Sequence, residues 1–168
     1  MARRPERFLK VVLSNTFPPN PYIARKNRFT GLLLSVLPEG LIWRRFRTHT
    51  RKMIYPASGG HELTLAYLNE MSRGRMRRTH LIARFRCIVE PFEAPFPAVP
   101  ILILESENDP LVEPRLRGML RQRYAGAYVY TFPDAGHFPY LNRPREYAVC
   151  LKRFFTEDRH VFRKWERV

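Results

Sequence analysis

Two short apolar runs, Ile101–Leu104 and Tyr128–Phe132, decide most of what this chain can fold into. The first sits in VPILILESENDPLVEP and empties into an acidic turn with Asp109 before Pro110. The second sits in AYVYTFPDAGHFPYLNRP and empties into Gly136-His137. Short continuous apolar runs bounded by turn formers suit strands covered on both faces. A polar, arginine-rich stretch from about Glu113 to Tyr124 joins them at helix length, and a second helix is expected from about Pro144 to Phe155. The order β-α-β-α with short links describes a right-handed unit of a mostly parallel sheet, hence an α/β fold. Such sheets carry their chemistry just beyond the C-terminal ends of the strands. Asp109 and His137 both stand there.

A histidine works as a general base near neutral pH only if its tautomer and orientation are held. A buried carboxylate bonded to one ring nitrogen does both and stabilises the imidazolium as it forms. Asp109 is the candidate orienter and His137 the candidate base. Taken singly, Asp109 reads as a turn or cap residue ahead of Pro110, and His137 as a loop histidine. Their matched strand-end placement favours the joint reading. Gly136 allows a tight turn after the second strand, and Phe138-Pro139 stiffens the exit.

Upstream, Phe8–Leu13 (FLKVVL) reads as a short buried strand ending at Ser14-Asn15-Thr16, and FPPNPY as a proline-rich exit loop. Residues 22 to about 88 are helical by pattern and basic. Phe29–Leu37 is expected to be a buried helix, Leu41–Ile54 a weakly amphipathic one and His61–Met71 a better one. Pro56-Ala57-Ser58-Gly59-Gly60 breaks the pattern, with Ser58 as a helix cap. Met76–Cys87 is a further helix or an extended segment. Several helices without strands read as a lid. Val89–Pro100 has four prolines in twelve residues and reads as an extended linker. The expected organisation is therefore a core strand and exit loop (1–19), a basic helical cap (20–88), a proline-rich linker (89–100), an α/β core (101–155) and a charged tail (156–168), helical if ordered.

Length and composition bound the rest. The chain has 168 residues, 45% of them hydrophobic, enough for a real core and too many for disorder. No apolar run approaches bilayer length, and MARRPERFLKVVL lacks the h-region and cleavage site of a signal peptide. The two cysteines, Cys87 and Cys150, have no C-x-x-C spacing, so no zinc or redox site is indicated, and buried thiols in a cytoplasmic protein are expected. No cofactor motif occurs. Net charge is +15 and uneven: residues 1–88 hold 18 basic against 4 acidic side chains, residues 89–168 hold 12 against 11. Without a nucleic-acid motif this reads first as arginine-rich solvated surface, and nucleic acid is not an expected partner. Arg44, Arg45, Arg47, Arg51, Arg73, Arg75, Arg77 and Arg78 could steer an anionic substrate or make a peripheral membrane contact. His49, His61, His80 and His160 have no ligand partner at helical spacing.

The stretch VPILILESENDPLVEP…AYVYTFPDAGHFPYLNRPREYAVCLKRFF resembles the C-terminal segment of the α/β-hydrolase fold. In that family a D-P turn after one strand supplies the acid, and G-H after the last strand supplies the histidine. The resemblance implies Asp109 as triad acid and His137 as triad base, and makes FLKVVLSNTFP the strand after the nucleophile helix, with residues 20–88 in the place of the cap. It covers residues 8–155. The wording SNTFPPN, VEP at 89–91 and FPYLNRP at 138–144 is most similar to the maspardin-like branch, which is associated with protein binding.

The family nucleophile sits in G-x-S-x-G on a strained strand-to-helix turn, and no such pentapeptide occurs here. The serines are Ser14, Ser35, Ser58, Ser72 and Ser106. Ser58 precedes two glycines but follows Pro56-Ala57 and no strand. The oxyanion-hole segment is not found either. The expectation is therefore the C-terminal portion of a mostly parallel α/β-hydrolase sheet with a helical cap, lacking the N-terminal strands and nucleophile elbow and leaving Phe8–Leu13 as an edge strand. It would be a truncated chain of a serine hydrolase that cleaves a small apolar or anionic ester or amide. The alternative is a non-catalytic, maspardin-like scaffold with a protein partner.

Overall fold

The structure, a computed structural model, describes residues 4–54, 61–71, 76–90, 98–156 and 166–167. In chain order the elements are a 3-10 turn at Pro5–Arg7, β1 (Val11–Ser14), α1 (Pro21–Lys26), α2 (Arg28–Val36), α3 (Glu39–Ile54), α4 (His61–Glu70), α5 (Arg78–Val89), β2 (Ile101–Ser106), α6 (Pro114–Arg123), β3 (Tyr128–Phe132), α7 (Pro139–Asn142), α8 (Pro144–Thr156) and β4 (Glu166–Arg167). The chain divides into two compact units. Met1–Pro18, Met53–Ser58 and Ala94–Val168 form the sheet unit, and Pro19–Lys52 with Gly59–Glu93 form the helical unit.

In the sheet unit β1, β2 and β3 lie side by side and parallel, with Val11 opposite Ile101 and Leu102 opposite Tyr128. All six residues of β2 are buried, as expected of a central parallel strand covered on both faces. Alternation then sorts its side chains. Leu102 and Leu104 face a cluster with Tyr128, Phe132, Cys150 and Phe154, where α8 packs. Ile101 and Ile103 face the opposite cluster with Val11, Leu120, Tyr124 and Val129, where α6 packs. The connection β2-α6-β3 matches the expected parallel unit.

Several expectations are corrected. The first strand starts at Val11 and not at Phe8: Leu9 is 84% exposed, and pairing begins only where Val11 meets Ile101. The exit loop stops at Asn20, because Pro21 opens α1 with Asn20 Oδ1 accepting from Ile23 N at 3.0 Å. Proline at a first helical position costs nothing, since its missing N–H would be unpaired there anyway. Helix α2 forms where a buried helix was expected, yet none of its residues is buried. Residues 76–87 settle as helix, from Arg78, with the His80 ring accepting from Arg77 N. Helix α7 was not foreseen. Of the charged tail, expected to be helical if ordered, only Glu166–Arg167 is described, and it pairs antiparallel to β3. Residues 91–97, most of the expected linker, and the breaker with Ser58 lie outside the described residues.

The helical unit has its own small core. Ile42, Met76 and Leu81 are buried, with Leu34, Leu37, Trp43, Phe46 and Met71 packed around them. The Arg78 guanidinium donates to the carbonyl of Leu37, tying α5 to the end of α2. Among the described residues no helix is long and apolar enough to cross a membrane.

The strand boundary and the core make one prediction together. Leu104→Ala should cost about 2–5 kcal/mol of stability, the range for a fully buried leucine. Leu9→Ala should stay within about 0.5 kcal/mol, as an exposed substitution does. Urea denaturation followed by circular dichroism measures both. A comparable loss at Leu9 would restore the longer strand.

Candidate functional site

The Asp109 turn begins where β2 ends. Asp109 N reaches back to Ser106 O at 3.4 Å. The Asp109 carboxylate then organises the turn that follows: its Oδ1 accepts from Leu111 N at 2.8 Å and Val112 N at 3.0 Å. Pro110 between them has no N–H to compete and its fixed φ suits the bend.

The His137 turn begins where β3 ends, and other side chains shape it. Asn108 Oδ1 accepts from Ala135 N at 3.2 Å and Gly136 N at 2.8 Å, while its amide donates to Asp134 Oδ1 at 2.7 Å. From the far side Asn142 Nδ2 donates to Ala135 O at 2.7 Å and Arg143 Nε to Asp134 O at 3.1 Å. Gly136 sits at φ 58°, the left-handed region that glycine enters without penalty. His137 therefore leaves a turn whose backbone is pinned on both sides.

The two turns bring the predicted pair together. His137 Nδ1 lies 2.9 Å from Asp109 Oδ2 and 3.1 Å from Oδ1. An ionised carboxylate offers only lone pairs, so Nδ1 carries the hydrogen, which leaves Nε2 as the ring nitrogen that can gain or give up a proton. The side chain of Asp109 is 1% exposed and that of His137 20%. The ring packs edge-on against Phe138, with centroids 4.9 Å apart. Burial by itself pushes the Asp109 carboxyl up. The hydrogen bond and charge of His137, with the backbone N–H groups of Val112 and Leu111, outweigh it and hold the carboxyl below the ordinary aspartate value.

Sequence reasoning missed a third participant. Asn15, just past the end of β1, donates from Nδ2 to Asp109 Oδ2 at 2.8 Å, Gly136 O at 2.9 Å and Ser106 Oγ at 3.1 Å. Its only signal in the sequence is its position after a strand, parallel to those of Asp109 and His137.

Among the described residues no serine hydroxyl is bonded to the imidazole. Ser106 is fully buried, with its Oγ accepting from Asn15. Ser35 donates to Gly31 O within α2. Ser14 closes β1, and Ser58 and Ser72 lie outside the described residues. Both cysteines were expected to be buried, but only Cys150 is; Cys87 is exposed on α5. Burial, with the Glu146 carboxylate nearby, pushes the Cys150 thiol up to about 11, so it is no nucleophile near neutral pH. His49 and His80 are exposed. Among the described residues no group of three or more His, Cys, Asp or Glu side chains is placed to hold a metal.

A sequence model described as "Alpha/beta hydrolase family" matches residues 2–149. No curated protein matches significantly. Among solved structures, the chain is similar to the enol-lactonase of Burkholderia xenovorans, with a TM-score of 0.71 and 20% identity over 93% of this chain and 59% of that one. It is similar to a hydrolase of Pseudomonas aeruginosa, with a TM-score of 0.65 and 16% identity over 93% and 58%. A third match is the 2-hydroxy-6-oxo-6-phenylhexa-2,4-dienoate hydrolase of a Rhodococcus species, with a TM-score of 0.63 and 16% identity over 93% and 58%. The chain thus spans about 60% of the length of the solved proteins it matches. With the strand order, the strand-end turns and the family match agreeing, the chain belongs to the alpha/beta hydrolase family.

Proposed function

We propose that this protein supplies the acid and the base of an acyl-transfer hydrolase, with Asp109 as the orienting carboxylate and His137 as the general base. The observation that carries this reading is the contact of Nδ1 with a buried carboxylate, which turns Nε2 of a partly exposed ring toward other work. A base in that state takes the proton of a hydroxyl nucleophile as the hydroxyl attacks a carbonyl carbon, then returns it to the leaving alcohol or amine. Asp109 stays ionised throughout and stabilises the imidazolium. The substrate is an ester or amide in this reading, and the hydroxyl comes from a G-x-S-x-G turn of the family type, which these 168 residues do not contain. That gap in the sequence favours a second reading, a binding scaffold of the maspardin-like kind, in which a protein partner is retained after Asp109→Ala and His137→Ala.

An ester assay separates the two. With p-nitrophenyl butyrate the 168 residues alone should turn over no faster than their His137→Ala variant. Joined to a family segment that carries G-x-S-x-G, the chain should gain turnover, and His137→Ala should then lower kcat by about 10⁴-fold or more. Turnover in the joined protein that survives His137→Ala would remove His137 from the chemistry.

The depressed Asp109 carboxyl gives a pH dependence of fixed sign. Stability from its ionised form is fully present above the unfolded-state value and is lost as pH falls through the lower folded value. At pH 6, Asp109→Asn should cost about 1.5–3 kcal/mol, the range for hydrogen bonds to a charged group. Urea midpoints measured from pH 6 down to pH 2 should show this difference shrinking on the acid side. A constant difference would mean that the charge of Asp109 contributes nothing.

A further inference from the structure

Asn15 is the one non-glycine residue with positive φ among those described, at φ 39°. The left-handed region costs an ordinary residue about 1–2 kcal/mol, less for asparagine. The residue is buried, and its backbone N–H continues the sheet ladder to Leu104 O at 2.8 Å. The conformation aims the side chain across the ends of β2 and β3. There, its two amide hydrogens meet three acceptors within 3.1 Å: Asp109 Oδ2, Gly136 O and Ser106 Oγ. On the other side Asn15 Oδ1 is buried without a partner. An orphaned buried acceptor costs about 1–3 kcal/mol. Strain and an orphaned acceptor at one residue need a compensating gain.

The chemistry of the acceptors says what that gain is. Asp109 Oδ2 is the carboxylate oxygen nearer to His137 Nδ1, and Gly136 O is the carbonyl just before His137. Serine would not reach both, leucine would offer no donor, and aspartate would set a second negative charge against Oδ2. We propose that Asn15 is a positioning residue for the Asp109–His137 pair. Its amide holds the carboxylate oxygen that faces the imidazole and the backbone that carries the imidazole, so β1 fixes the pair from the side opposite to the pair's own turns. The inference rests on the acid–base reading for its catalytic meaning but not for its test.

The test needs neither substrate nor nucleophile. Asn15→Gly keeps the left-handed backbone without strain and removes the short side chain that carries the amide. The Asp109 carboxyl is followed by carbon-13 NMR through a pH titration of the full chain, and the His137 Nδ1 proton through its downfield resonance. Loss of a donor to the ionised form should raise the proton affinity of Asp109 by about 3- to 10-fold. The Nδ1 resonance should broaden as the ring loses its fixed partner. A folded Asn15→Gly chain with both signals unchanged would reduce Asn15 to a space-filling turn residue and overturn the proposal. Should Asn15→Gly fail to fold, Asn15→Asp keeps the shape. With two carboxylates in contact, one should then hold its proton well above the ordinary aspartate range. Two independent, ordinary titrations would overturn the proposal by that route. A shifted Asp109 titration with no ester turnover in the joined protein would leave Asn15 positioning a pair that is not catalytic, so the two readings fail separately.

Discussion

The Asp109 carboxylate is the interaction on which the site depends. It lies almost wholly out of water, where an isolated charge would shed its charge by taking up a proton. His137 and the N–H groups of Val112 and Leu111 hold it ionised, and donors converge on it from three segments: Leu111 and Val112 N–H from its own turn, Asn15 Nδ2 from the end of β1 and His137 Nδ1 from the turn after β3. Each donor is itself held by backbone geometry. One charged group thus ties together the C-terminal ends of all three parallel strands.

That convergence requires the strands to end at matching heights, and the core sees to this. The ladder places Ser14 opposite Leu104 and Ser106 opposite Phe132. A slip of one residue would turn Leu102 and Leu104 from the α8 face to the α6 face, a change the sorted clusters forbid. The register that buries the apolar side chains is the register that brings Asn15, Asp109 and His137 into contact. Asn108 adds a direct strut, bonding the backbone N–H groups of Ala135 and Gly136 from the residue next to the acid. The fold and the site are therefore specified by the same alternation.

What could be read in the sequence follows from how local each signal is. The β2-α6-β3 unit was legible because apolar runs and turn formers are short-range patterns. Asp109 and His137 were legible because a strand end followed by Pro110, or preceded by Gly136, marks itself. Asn15 was not, since an asparagine after a strand reads as a turn former and its partners lie far along the chain. The exposure of α2 was hidden for a related reason. Phe29, Leu32, Leu33 and Val36 recur at helical spacing and all are exposed. Periodicity shows that a stripe exists, whereas its burial depends on what lies against it. The tail strand escaped because two residues carry no periodicity at all.

The depth difference between the two partners fits the proposed acid–base reading. In the proposed acid–base reading, a base must meet the group whose proton it takes, and the partly exposed His137 ring meets that requirement. An orienting carboxylate must keep its lone pairs on the imidazole rather than on solvent, and so gains from depth. The structure separates these demands along one imidazole ring: Nδ1 points into the protein at a carboxylate 1% exposed, on a ring 20% exposed. Water at Asp109 would weaken its pull on the ring by raising the local dielectric and would compete for its lone pairs. Asn15 occupies that position instead, as a donor that cannot leave and cannot titrate. An amide there keeps the carboxylate ionised, dry and aimed at once, which neither water nor a second acid would do.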